Sequence, residues 1–370
     1  MTRWNRPFLL VPNRVWRIYR GGRLIDELRG KSPPRDGFFP EDWVGSVTRA
    51  VNRGREHLAK EGLSAIRLGG GRTALLADIL ADPAAAVDFL GKRHVARFGA
   101  GPGILVKLLD SGVRLPLQTH PDRDFARRHL HSDHGKTECW IILGTRRIAG
   151  RPAFLYYGFR AGATHAAFEN AYRRQDVPAM ESLLHRVEAR PGDVHAIPAN
   201  LIHAIGAGVF LAEIQEPSDH VFQFDRKGPC WNLNDFQTHM NLGDRRMLAT
   251  IDYSTPGPAA LRRWTRRFAP ATDREGARSI LPAGIREFFG CRHVTARRLS
   301  RQAGSFVVGI VISGRGAAAG EGGRIPLAPG DTFVIPRAAR RIVYTAANPA
   351  RPLRILEALP PATIMARVGS

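Results

Sequence analysis

Cysteine is scarce in this sequence: Cys139, Cys230 and Cys291 are the only three in 370 residues, they lie far apart, and none belongs to a C-x-x-C pair. That pattern excludes a disulfide framework and a zinc knuckle, and reduced thiols lead to the expectation of a cytoplasmic protein. Long apolar runs are missing too. Phe8-Leu9-Leu10-Val11 is far too short for a signal-peptide core and nothing approaches the length that crosses a bilayer, so no membrane partner is expected. Acidic residues are few beside basic ones, 33 against 55, which gives a formal net charge of +22. Such a surplus raises nucleic acid as a partner. The basic residues are nearly all Arg, however, they are spread along the whole chain, and no aromatic-interleaved basic stripe accompanies them. No nucleic-acid partner is therefore expected, and the charge is read as a solvated surface attractive to an anionic small molecule. What the chain does have is apolar content, 44% of its residues, and enough length to bury a core in each of two or three domains.

A short repeat organises the chain. Pro191-Gly192-Asp193-Val194-His195-Ala196-Ile197-Pro198 and Pro329-Gly330-Asp331-Thr332-Phe333-Val334-Ile335-Pro336 both read P-G-D-x-x-x-I-P: a tight turn, a short buried strand and a proline that ends it. Repetition of the unit predicts two similar all-β modules. Apolar, Gly-punctuated strands surround each copy, at 103–110, 138–143 and 209–215 in the first and at 305–312 and 354–359 in the second. Helices are predicted over 73–80, 84–90, 122–129 and 166–187, with a partly helical stretch at 231–250. The expected fold is mainly β: two jelly-roll barrels of the cupin kind with helical insertions. The expected division is 1–230 for the N-terminal barrel with its insertions, 231–275 for a linker and 276–370 for the second barrel.

Three segments carry candidate chemistry. In Leu117-Gln118-Thr119-His120-Pro121, Gln118 and His120 stand two apart, so a strand projects both from one face until Pro121 stops it. In Gly135-Lys136-Thr137-Glu138-Cys139-Trp140, alternation puts Lys136, Glu138 and Trp140 together and Cys139 opposite. A carboxylate and an ammonium pointing together into a barrel must be paired or bound to metal. The third segment, Pro198 to His203, follows the first P-G-D unit and resembles the second cupin motif through Gly192, Pro198 and His203. Asn200 stands where that motif usually has Gly, a mild change because Asn tolerates the left-handed conformation. Arg341 takes the place of His203 in the C-terminal copy, so only the first barrel is expected to hold metal. Imidazole, carboxylate and amide oxygen form a mixed N/O set suited to one divalent ion, zinc first and manganese, iron or cobalt as alternatives.

Taken in order, Q-x-H-P, G-K-T-E-C-W and I-P-A-x-x-x-H-A-I-G-x-G resemble the type I phosphomannose isomerases, and the likeness extends to Trp16, Gly22, the 38–46 stretch and the C-terminal cupin. The resemblance implies metal ligands at Gln118, His120, Glu138 and His203, and interconversion of mannose 6-phosphate and fructose 6-phosphate through an enediol. It also implies a proton carrier at Glu213, with Lys136 as the other candidate or as an electrostatic anchor. Two positions depart from the family. Gln223 stands about where the family often has an active-site Arg, and Pro116 where it commonly has a Ser that touches phosphate. Both changes weaken recognition of a phosphate. Arg226 and Lys227 are near enough in sequence to compensate, so Gln223, Arg226 and Lys227 are the expected substrate-binding residues. The alternatives are an isomerase or epimerase of an unphosphorylated or differently modified sugar, and a sugar-binding cupin without turnover.

Other features are read as structural. His129, His131 and His134 sit among Arg127, Arg128 and Asp133 at a helix end, where a solvated surface is the default. Gly69-Gly70-Gly71-Arg72-Thr73 lacks the Gly-Lys-Ser/Thr ending of a phosphate loop.

Overall fold

The computed structural model describes residues 3–268 and 274–361. The two P-G-D units behave alike: Gly192 and Gly330 both take positive φ, 92° and 81°, a conformation open to glycine at no steric cost. Each turn feeds a strand, Asp193–Ile197 and Thr332–Ile335. The first lies in a seven-stranded sheet between Thr265–Arg267 and Glu138–Thr145, which continues through Val209–Gln215, Leu105–Asp110, Glu41–Val44 and Arg14–Val15. A five-stranded sheet of Leu184–Glu188, Phe154–Phe159, His203–Ile205, Gln118–Thr119 and Phe222–Gln223 forms the other wall of the first barrel. The second barrel has a six-stranded and a four-stranded sheet, with Thr332–Ile335 in the larger. All of this pairing is antiparallel.

Alternation assigns the two faces of each large sheet to different cores. Trp140, Ile142, Leu109 and Leu211 point into the first barrel. Cys139, Ile141, Val106 and Ile214 point the other way and join Cys291, Val308, Ile310 and Leu356 of the second barrel in one shared core. The strand Glu138–Thr145 is thus buried on both faces over its first five residues, which is why it is so apolar. Two short strands cross the division expected at 230 and 275. Phe8–Leu9 pairs with Thr332–Ile335 in the C-terminal sheet, and Thr265–Arg267 pairs with Asp193–Ile197 in the N-terminal one.

Most predicted elements are found within a few residues of their expected limits, with two differences. Arg72–Leu75 is the second arm of a hairpin with Ala65–Gly69, and only Leu76–Leu80 is helical, where a helix over 73–80 was expected. Gly69, Gly70 and Gly71 all have positive φ and form the hairpin turn, so their conformational freedom reverses the chain direction. The long helix expected over 166–187 is two helices and a strand: His165–Arg174, Val177–Ser182 and Leu184–Glu188. Gln175 closes the first helix at φ 53°, the Asp176 side chain caps the second and Pro178 sits in its first turn, a position that tolerates proline where a helix interior would not.

Gly21 and Gly22 bring the N-terminal segment against the first barrel. The Gly22 amide donates to Asp110 Oδ2 at 2.8 Å, and a Cβ on Gly21 would lie 1.8 Å from the Asp110 carbonyl oxygen. Backbone cannot yield to that contact cheaply. Gly21→Ala is expected to destabilise the protein by about 1–3 kcal/mol, read as a lower denaturant midpoint at unchanged slope.

Candidate metal centre and its cavity

Two rows of side chains face each other across the first barrel. On the seven-stranded sheet, register places Trp140 beside Glu213 and Glu213 beside Lys107, with Glu138 two residues from Trp140 on the same face. On the five-stranded sheet, His203 is opposite Gln118 and Gln118 opposite Gln223. His120 follows the short strand Gln118–Thr119. Donor atoms of His120, Glu138 and His203 all lie within 4.8 Å of one another, and all three residues are buried.

The orientation of these groups suits a cation. His120 Nδ1 lies 2.9 Å from the His220 carbonyl and His203 Nδ1 lies 2.8 Å from the Leu201 carbonyl. Those carbonyls take the Nδ1 protons and leave both Nε2 lone pairs for the centre. Burial pushes both imidazoles down, to about 3 for His120, where Lys136 adds to the effect, and to about 4 for His203. Both are neutral, as metal ligands must be. Burial alone would raise Glu138, but the Lys136 charge holds it well below the usual carboxylate range. Trp140 Nε1 donates to Glu138 Oε2 at 3.1 Å. Oε1 accepts no directed hydrogen bond, although Lys136 Nζ at 2.9 Å and His120 Nε2 at 3.1 Å stand against it. A buried carboxylate oxygen and two imidazole lone pairs converging in this way fit a divalent ion. Gln118 presents its Nε2 to His203 Nε2 at 3.2 Å, so only the flipped amide would offer its oxygen to an ion.

The centre opens into a cavity of about 380 Å³. Sequence reasoning missed its charged floor. Lys107 Nζ lies 3.0 Å from Glu213 Oε1 and 3.8 Å from Glu41 Oε2, and Arg17 pairs with Glu41 and Asp219 at 3.0 Å each. A single Lys inside the apolar strand 105–110 was the available signal for Lys107. Arg17 and Asp219 are 202 residues apart and leave no local sign of their meeting. Burial first and then the Glu138 charge raise the Glu213 carboxyl, against Lys107 and Lys136. Glu41 goes the other way: burial would raise it, but Arg17 and Lys107 bring it down to about 2.

Of the residues expected to bind substrate, Gln223 lines the cavity, as does Pro116, and the Gln223 Nε2 donates to the Gln237 carbonyl at 2.9 Å. Arg226 and Lys227 do not line it. Arg226 pairs with Asp235 at 2.8 Å and Asp244 at 3.1 Å, and Lys227 is exposed. The cause is Asp225, whose buried carboxylate accepts from the Leu117 amide and from Arg114, anchoring the chain just before these two residues. The His129, His131 and His134 segment forms no group of metal donors among the described residues. In the second barrel, Arg341 donates to Ser300 Oγ at 2.7 Å on the surface. Glu357 occupies the place equivalent to Glu213, opposite Arg292 as Glu213 is opposite Lys107, and Tyr344 and Arg301 cover its Oε1.

No protein-family model matches the chain. Among curated proteins, it is 36% identical over 147 residues to the probable mannose-6-phosphate isomerase GmuF of Bacillus subtilis, covering 38% of this chain and 44% of that one. It is 35% identical over 150 residues to the mannose-6-phosphate isomerase of Streptococcus mutans, with 38% and 44% covered. The match thus spans under half the length of these relatives. Among solved structures, the mannose 6-phosphate isomerase of Bacillus subtilis superposes with a TM-score of 0.68 at 20% identity, over 95% of this chain and 99% of that one. The mannose 6-phosphate isomerase of Salmonella typhimurium, bound to its substrate and zinc, gives 0.67 at 16% identity, over 96% and 100%.

Two outcomes follow from the geometry. The purified chain should hold about one equivalent of divalent metal by elemental analysis, and Glu138→Ala or His203→Ala should lose it while His131→Ala keeps it. Because Glu41 is lowered on folding from 4.5 to about 2, its contribution is present above pH 4.5 and fades as pH falls towards 2. The unfolding free-energy gap between wild type and Glu41→Gln should shrink across that window by on the order of 3 kcal/mol. In sequence over part of its length, and in fold over nearly all of it, the chain is similar to mannose-6-phosphate isomerases.

Proposed function

We propose that the protein is a cytoplasmic, metal-dependent aldose-ketose isomerase that interconverts mannose 6-phosphate and fructose 6-phosphate. The observation that carries this reading is the buried His120, Glu138 and His203 group, whose Glu138 lines one cavity together with the Glu213 carboxyl. The named relatives and the substrate-bound fold neighbour support it. So does the charge of the cavity. Its lining holds four basic side chains, Arg17, Arg53, Lys107 and Lys136, and four carboxylates, Glu41, Glu138, Glu213 and Asp219, which balance. A divalent ion leaves two positive charges, matched to a phosphate ester of nearly two negative charges.

His120, Glu138, His203 and Gln118 would hold the ion, zinc by its donor set. When bound, it supplies Lewis-acid stabilisation of negative charge developing on the sugar's C1 and C2 oxygens. Glu213 takes the proton from one of the two carbons, C1 or C2, and returns it to the other, while the hydroxyl proton crosses between their oxygens. Burial and the Glu138 charge raise its carboxyl, which suits a group that must both accept and release a proton. Lys107, 3.0 Å from Glu213, positions the carboxylate, and Lys136, beside Glu138, supplies positive charge at the reacting end.

A second reading, isomerisation of an unphosphorylated sugar, is favoured by the uncharged Pro116 and Gln223 in the cavity wall. Ketose formation from mannose 6-phosphate and from free mannose by the metal-loaded protein separates the two. Turnover of the phosphate ester alone is expected, and turnover of free mannose alone sinks the leading reading. Glu213→Gln should keep its metal and lose about 10²- to 10⁴-fold in kcat.

A further inference from the structure

We infer that Arg53 is the phosphate-binding and specificity-determining cation of this cavity. The inference rests on the sugar-phosphate reading above, and a phosphate ester needs a cation that is not already spent on a carboxylate. Three of the four basic groups lining the cavity are committed. Arg17 is held by Glu41 and Asp219, Lys107 by Glu213, and Lys136 by Glu138. The guanidinium of Arg53 makes no hydrogen bond or ion pair within 4 Å among the described residues, its interaction with the exposed Glu56 being a longer-range one through solvent, and it lines the same cavity.

Its place in the cavity is also the right one. Glu138, Glu213, Lys107 and Lys136 are at most 5% exposed, whereas Val51 and Phe236, which share the lining with Arg53, are 54% and 40% exposed. Arg53 is itself exposed. The cavity therefore runs from a closed end at the metal donors to an open end at Arg53. A hexose 6-phosphate has its reacting C1 and C2 at one end and its ester at the other. With C1 and C2 at the closed end, the ester lies towards Arg53. Release of Lys136 from Glu138 by a bound ion does not alter this, because Lys136 remains two residues from Glu138, at the closed end.

The backbone that carries Arg53 is fastened to the cavity floor. The Val51 amide donates to Asp219 Oδ2 at 2.9 Å, the Asn52 Oδ1 accepts from Arg17 at 3.2 Å, and the Asn52 Nδ2 donates to Glu61 at 3.1 Å. Arg17 and Asp219 thus act as the mount for the loop, and the guanidinium left unpaired on it supplies the charge that Pro116 and Gln223 do not.

Inorganic phosphate titrated calorimetrically into the metal-loaded chain tests this directly. Arg53→Gln is expected to bind phosphate about ten- to a hundredfold more weakly than wild type, with KM for mannose 6-phosphate raised by a similar factor and the loss falling on KM rather than kcat. Arg53→Lys should recover part of the affinity. Arg49→Gln, on the same loop but outside the cavity lining, should bind phosphate as wild type does, which removes general surface charge as the cause. Equal phosphate affinity in Arg53→Gln and wild type, or no phosphate binding by wild type, overturns the inference. Phosphate affinity that depends on Arg53 without any turnover of mannose 6-phosphate would support the anion site and overturn the isomerase reading instead.

Discussion

The first barrel is organised around a charge that water cannot reach, the Glu138 carboxylate. A carboxylate at 1% exposure is tolerated only where positive charge and hydrogen bonds answer it. Lys136 and the Trp140 indole do so, and the two imidazoles turn their Nε2 atoms towards the same carboxylate. Each of those groups is fixed in turn: Trp140 by its place in the barrel core, His120 and His203 by backbone carbonyls. The same arrangement that makes the carboxylate bearable presents convergent donors to a cation.

A comparison of the barrels shows what the centre requires. Both large sheets place a glutamate opposite a basic residue, Glu213 with Lys107 and Glu357 with Arg292. In the second barrel Tyr344 and Arg301 close over Glu357 Oε1, and Arg292 stands 3.9 Å from Oε2. In the first, the facing strands bring two imidazoles whose Nε2 atoms converge on the carboxylate, with Lys136 and the Gln118 amide against them. One strand plan therefore gives an ion cluster in one half of the molecule and a candidate metal centre in the other.

The parts of this that the sequence shows are those set by local rules. The period of two on a strand placed Glu138 and Trp140 together and Cys139 opposite, and the P-G-D turns revealed both barrels. The two helical misreadings have local causes as well, since Thr73 to Leu75 follow three turn-forming glycines and Pro178 follows a capping Asp176. What stayed hidden depends on distant pairing. Arg17 reaches Asp219 across the fold, and Arg226 was misplaced because proximity in sequence to Gln223 says nothing of the turn that Asp225 imposes. Arg53 carries no motif at all, and its significance comes only from the pairing of every other cation around it.

The shared core between the barrels has a bearing on traffic through the site. The wall that carries Glu138, Glu213 and Lys107 is backed by the second barrel's largest sheet, and elements packed on both faces open only with much of the protein. That wall can act as an anvil but not as a door. Access to the cavity is left to its open end, where Val51, Arg53 and Phe236 are exposed, far in sequence from the centre they lead to.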